Sequence, residues 1–267
     1  MANGSSGAAV TGLVIGVILA AQTGDWGSDD GADSDGSAAQ SSEVGDGPGS
    51  SSSFDNPDAD RPDGAPSGLE VPGVITTTGR SGTTVALTFS TGPDPRYTPE
   101  VLETLADHGV TATFCVLGVN ARDHAALVRT IVAEGHTLCD HSTTHDFALA
   151  TRDDARIRRE IGDTLDAIRA AVPNARVPFF RAPGGNFAPN LNDVAASFDQ
   201  APLGWNVDPR DWEGSSPASI RGDVLAAVQP GSVVVLHDGG NDGSVEALSG
   251  IIEELAAVGY DFVVPAG

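Results

Sequence analysis

Two histidines four residues apart, His141 and His145 in His-Ser-Thr-Thr-His, are the most chemically specific pair in this 267-residue chain. On a helical turn that spacing turns both imidazoles to one side, where they can share a metal ion. A lone pair of this kind is as readily two surface histidines. Here it directly follows a short apolar run, His136 to Cys139, that reads as a buried strand, and this favours the metal. Four other polar clusters also follow strand-like runs: Thr88-Phe89-Ser90-Thr91-Gly92-Pro93, Arg181-Ala182-Pro183-Gly184-Gly185, Asp208-Pro209-Arg210-Asp211-Trp212 and Leu236-His237-Asp238. A strand-end histidine before Asp-Gly-Gly favours a functional site over a buried structural histidine.

In order and content the five clusters resemble the polysaccharide deacetylases of carbohydrate esterase family four, over about Thr83 to Val264. The resemblance implies that His141 and His145 bind a divalent metal such as zinc, and that His237 is the acid that protonates the departing amine. It implies that Asp211 partners that histidine and that Arg181 holds the catalytic base. Trp212, Pro183 and Leu236 would border the substrate, Leu236 lining the slot for the acetyl methyl. The family's first motif reads T-F-D-D-G-P, and here Ser90 stands at the base and Thr91 at the third metal ligand. Serine holds no proton to exchange at neutral pH, and a neutral threonine hydroxyl replaces a carboxylate badly on a divalent ion. Metal retention should therefore be weak. The alternative to a hydrolase is a polysaccharide-binding relative that has kept the groove and lost the reaction. Asp94 and Asp140 are the nearest carboxylates that could substitute, Asp94 from a turn beside Pro95 and Asp140 from the strand end before His141.

The elements that must position these residues alternate. Short apolar runs at Val85 to Phe89, Thr111 to Leu117, His136 to Cys139, Pro178 to Arg181, Ala201 to Asn206, Ser232 to His237 and Asp261 to Val264 read as strands. Between them lie helical patterns, one opened by Thr98 as N-cap with Pro99 in the first turn. Others run over Asp123 to Ala133, Arg152 to Ala171, Leu191 to Phe198, Ala218 to Val228 and Val245 to Val258. Such alternation predicts an α/β fold with a parallel sheet, open or closed. The resemblance implies a distorted (β/α) barrel with about seven strands, whose active site lies at the strand ends.

Composition divides the chain into a signal-like segment 1–22, an Asp/Gly/Ser-rich linker 23–70 and a catalytic-type domain 71–267. The linker holds too few apolar residues to offset the entropy of ordering it, so it is expected to be a disordered acidic tether. Up to Glu70 there are 12 acidic residues against one Arg, a charge of −11, and the rest of the chain carries −12 of the total −23. That surface excludes nucleic acid and anionic membrane as partners. All 14 basic residues are Arg, which suits either a high-salt habitat or a GC-rich genome. The apolar run Ala8 to Ala21 has the length of a signal-peptide core, which points to a secreted or cell-surface protein. No Lys or Arg precedes the run, so a non-native leader or an uncleaved anchor also fits, and Gln22 occupies the position where lipid attachment needs a cysteine. The two cysteines, Cys115 and Cys139, are either a disulfide between adjacent strands or two small buried hydrophobes, and export favours the bond. The expected partner is an acetylated polysaccharide bound by a monomer; no protein partner is implied.

Overall fold

Seven parallel strands form one sheet in the computed structural model, which describes residues 68–240 and 242–267. They are β1 (Thr84–Ser90), β2 (Thr113–Val116), β3 (Thr137–Asp140), β4 (Phe179–Phe180), β5 (Ala201–Pro202), β6 (Ser232–His237) and β7 (Asp261–Phe262). The order is β5-β4-β3-β2-β1-β6, with β7 paired to the start of β1. The signal-like segment and residues 23–67 of the expected tether lie outside the described residues. Gly68–Glu70, expected as the end of that tether, instead forms a 3₁₀ turn with Leu69 packed on the core.

The sheet curls until its edges nearly meet. Past β5 the chain runs on to β6: the amides of Asn206 and Val207 donate to Val233 O, and Val235 N donates to Val207 O. Single bridges Ile75↔Leu203 and Thr77↔Ser232 complete the seam. A full strand is replaced there by isolated bonds, which is why the barrel is distorted.

Alternation along the strands sorts side chains into two layers. Val85, Leu87, Phe89, Val234 and Leu236 face the helices, in a core shared with Leu105, Ile131, Ile161 and Ile251. Ala86, Cys115, Cys139, Phe179, Val233 and Val235 face the barrel interior. Strands buried on both faces read as continuous apolar runs, as Val233 to Leu236 does.

The helices are α1 (Tyr97–Asp107), α2 (Gly118–Asp123), α3 (Ala125–Ala133), α4 (Asp154–Ala171), α5 (Pro189–Ala196), α6 (Pro217–Ala227) and α7 (Asp242–Ala257). Two expectations are corrected. Thr98 is not the N-cap of α1, which begins at Tyr97; Asp94 Oδ1 accepts the Arg96 and Tyr97 amides (2.7 and 3.0 Å). The helix expected at Asp123 to Ala133 is present but starts at Ala125, and Asp123 instead ends a separate, unexpected helix, α2, on the other side of His124. Helix α2 begins with no capping side chain and a glycine, so its sequence carries no start signal. Gly118 is needed because a Cβ there would lie 2.7 Å from Thr164 Oγ1, on α4.

Cys115 and Cys139 are register partners on β2 and β3 and form a disulfide inside the barrel, 24 residues apart in sequence. Closing a loop of that length contributes about 3 kcal/mol, a sizeable part of a domain's net stability. Replacing both cysteines by alanine is expected to lower the urea midpoint accordingly and to abolish its sensitivity to thiol reductant. Equal midpoints with and without reductant in the parent chain would count against this.

Candidate active site

Strand parity puts Thr88, Ser90 and Arg181 inside the barrel at its C-terminal mouth. Arg181 follows β4 and is fully buried. Its Nη1 donates to Ser90 Oγ (3.0 Å), its Nη2 to Thr88 Oγ1 (2.9 Å) and Gly204 O (3.3 Å), and its Nε to Leu203 O (3.2 Å). The guanidinium lies 5.3 Å from the Trp205 ring centroid. Ser90 thus sits where the arginine reaches β1, and its register partner on β6 is His237.

The histidine pair rides on the loop after β3, which is held from both sides. His141 Nδ1 lies 2.9 Å from Arg181 O, so Nδ1 carries the proton and Nε2 is left as the acceptor. The Nε2 atoms of His141 and His145 are 3.1 Å apart. Ser142 and His145 both adopt positive φ (66° and 57°), a local cost that the loop's bonds must offset. Ser142 Oγ accepts the His145 amide, and Asp140 Oδ1 accepts the Ser142 amide. From α4 the buried Glu160 carboxylate accepts the Thr143 and Thr144 amides and the Thr144 hydroxyl, while Arg156 pairs with it at 2.6 Å. Burial pushes the Asp140 carboxyl well above the usual range, although the Ser142 amide works against that.

On the opposite side of the mouth, Asp211 Oδ1 lies 2.7 Å from His237 Nδ1. Its Oδ2 accepts the His237 amide at 2.8 Å and the Ser244 hydroxyl. The aspartate is fully buried and opens a 3₁₀ turn, Asp211–Glu213, that also carries Trp212.

Ser90, His141, Arg181, Asp208, Trp205, Trp212, Val235 and His237 all border one pocket, whose free volume of about 10 Å³ is close to that of a single water site. The three motifs that carry His141, Arg181 and His237 therefore converge. Trp212 is at the wall, as the resemblance implies. Pro183 is buried in the turn Pro183–Gly185 and does not itself border the pocket; Gly184 of that turn does. Leu236 does not: it lies on the helix-facing side of β6, and Val235 takes the lining position. Asp94 is buried as the cap of α1, and Asp140 is committed to the Ser142 amide, so neither borders the pocket. Asp208 does. It was overlooked because its place in Asp-Pro-Arg reads as a turn residue, and its Oδ1 does accept the Arg210 amide at 2.9 Å.

A tetrahedral zinc with ~2.05 Å bonds sets two imidazole nitrogens roughly 3.3 Å apart. The 3.1 Å between the two Nε2 atoms fits that spacing. The third position does not fit. Thr91 Oγ1 donates to Ser90 O at 2.7 Å, and among the described residues no group of three His, Cys, Asp or Glu side chains is placed to hold a metal. The residues present make two thirds of a divalent site and not a whole one.

Residues 78–202 match the family model for polysaccharide deacetylase. A chitooligosaccharide deacetylase of Sinorhizobium fredii is 43% identical over 169 residues, 62% of this chain and 78% of that protein. A peptidoglycan-N-acetylglucosamine deacetylase of Bacillus cereus is 36% identical over 184 residues, 67% of this chain and 84% of that protein. Among solved structures, a CE4 family pseudoenzyme from Bacillus anthracis superposes with a TM-score of 0.67 at 29% identity, over 72% of this chain and 66% of that one. A mutant of that pseudoenzyme, described as having restored enzymatic activity, superposes equally well, with a TM-score of 0.67 at 29% identity, over 72% of this chain and 69% of that one.

Behind the pocket, Asp238 packs against the first motif, and a Cβ on Gly92 would lie 2.2 Å from its Oδ2. Thr98 Oγ1 donates to that oxygen at 2.6 Å, yet burial still pushes the carboxyl up to about 7. The folded chain then keeps a proton that the unfolded chain has released, so stability falls as pH rises from about 4 to 7. Asp238→Asn should remove that loss, gaining a few kcal/mol over the parent between pH 5 and pH 8. Urea midpoints at the two pH values measure it; parallel shifts in both chains would contradict the assignment.

Proposed function

The chain belongs to the polysaccharide deacetylase family, and on that footing we propose that it engages N-acetylated (or O-acetylated) polysaccharide at the barrel mouth with its hydrolytic power largely lost. The observation that carries this reading is the first motif: Ser90 only accepts, as a neutral hydroxyl, from Arg181, and Thr91 is turned onto its neighbour's carbonyl. The proton-donating side is whole. His237, oriented by Asp211, stands ready to give its proton to a departing amine. On the proton-accepting side, neither Ser90 nor Thr91 can take the proton of an attacking water. With two imidazoles and no carboxylate, a zinc-like ion would be held loosely, and no step is assigned to it.

The relatives named for chitooligosaccharide and for peptidoglycan acetylglucosamine support an acetylated amino sugar as the class of ligand. A polymeric ligand of that kind and the Cys115–Cys139 disulfide both support a secreted or cell-surface setting. Asp208 favours a second reading, in which some turnover survives: it is the carboxylate that borders the pocket among the described residues, and it could take the proton that Ser90 cannot.

Acetate release from a chitin oligomer with added zinc, alongside metal analysis, separates these readings. The unmodified chain is expected to bind the oligomer, retain little zinc and release acetate ~10²–10⁴-fold more slowly than Ser90→Asp/Thr91→Asp. Fast zinc-dependent release by the unmodified chain would overturn the proposal, and its loss in Asp208→Asn would establish the second reading. A folded, metal-loaded double variant that stays inert would show that the defect extends beyond the first motif.

A further inference from the structure

We infer that Ser244, on the first turn of α7, is a positioning residue for the acid His237, acting through Asp211. The inference rests on the reading of His237 as the proton donor and goes beyond the motifs that suggested it.

The dyad is assembled from three separate stretches of chain. His237 ends β6, Asp211 opens the 3₁₀ turn after the barrel seam, and Ser244 comes from the helix that follows the His237 loop. Ser244 and Asp211 are both fully buried. Both oxygens of the Asp211 carboxylate accept hydrogen bonds. Oδ1 takes the His237 imidazole and the Trp212 amide at 3.1 Å, and Oδ2 takes the His237 amide and the Ser244 hydroxyl. Of these four, the Ser244 hydroxyl comes neither from the residue being oriented nor from the aspartate's own neighbour, and it ties the carboxylate plane to an independent, rigid element.

A buried carboxylate with one oxygen undersupplied rotates toward other donors, and such rotation would lengthen the Nδ1–Oδ1 bond that fixes the imidazole. The amino end of α7, a helix of 16 residues, adds a favourable field for the anion. The bond to Asp211 also explains why a hydroxyl sits buried in the first turn of a helix whose other buried positions, Val245, Leu248 and Ile251 among them, carry no polar side chain.

The test uses the full chain and does not require activity. The His237 Nδ1 proton, identified by its disappearance in His237→Gln, is followed by NMR for its exchange with solvent. Ser244→Ala should speed that exchange by ~10-fold, the worth of one hydrogen bond, with amide dispersion unchanged. Ser244→Thr, which keeps the hydroxyl, should restore the slow rate. If the alanine chain fails to fold, Ser244→Cys, a weaker donor of similar size, should give an intermediate rate. Exchange in the alanine chain (or the cysteine chain) that matches the parent would overturn the inference. In the Ser90→Asp/Thr91→Asp background, Ser244→Ala should lower kcat with KM unchanged, and an unchanged kcat would also overturn it. Absence of turnover in that background would strike the proposed function alone, since the exchange measurement still decides the role of Ser244.

Discussion

The buried guanidinium of Arg181 is the constraint around which the mouth of this barrel is organised. Removing a cation from water costs several kcal/mol unless its donors are met. Here they are met by β1 through Thr88 and Ser90 and by the carbonyls of Leu203 and Gly204 at the barrel seam. One side chain from β4 thereby joins the middle of the sheet to the segment that closes it. The same residue's carbonyl accepts from His141, so the histidine loop is referenced to the same point. Position 90 contributes a neutral hydroxyl that accepts one of the five N–H groups, so the guanidinium is held without a carboxylate on β1.

The two halves of the site are supported independently. Glu160 on α4 fixes the loop of His141 and His145, and Ser244 on α7 fixes Asp211 and hence His237. They meet across the pocket that Ser90, Trp205 and Trp212 also border. The support of each half therefore comes from its own side of the barrel mouth, Glu160 from α4 and Ser244 from α7.

Much of this was legible in the sequence because period-two apolar runs and strand-end polar clusters each report a local fact. The seven strands follow from that pattern; the convergence of His141, Arg181 and His237 is implied by the family resemblance, and the bond between Cys115 and Cys139 stays one of two alternatives until β2 and β3 prove to be neighbours. The misreadings share another cause. Thr98 looks like a cap, but its hydroxyl is taken by the Asp94 amide and Asp238, and Asp94 caps in its place. Motif position points to Leu236 as a pocket residue, whereas strand parity, countable from the interior Val233, assigns the lining to Val235. Glu160 and Ser244 give no signal because each acts across the fold: a glutamate in a polar helix and a serine in a Gly-Ser turn have unremarkable neighbours in sequence. Asp208 is masked by its local role as a turn residue.

The backbone of the first motif still has the form that a carboxylate favours. Thr91 adopts φ of +69°, the left-handed region, where Asp and Asn are tolerated and a β-branched residue is strained. The strain persists because the surroundings dictate it. Asn120 Nδ2 donates to Thr91 O at 2.7 Å, Leu117 N donates to Gly92 O at 2.9 Å, and Asp238 fills the space beside Gly92 where any side chain would stand. A loop relaxed around threonine would abandon that conformation, since nothing local rewards it. The geometry at 91 is thus imposed by the residue that follows β2, by α2 and by the Asp238 carboxyl together, and the threonine occupies a turn whose conformation an unbranched Asp or Asn adopts at lower cost.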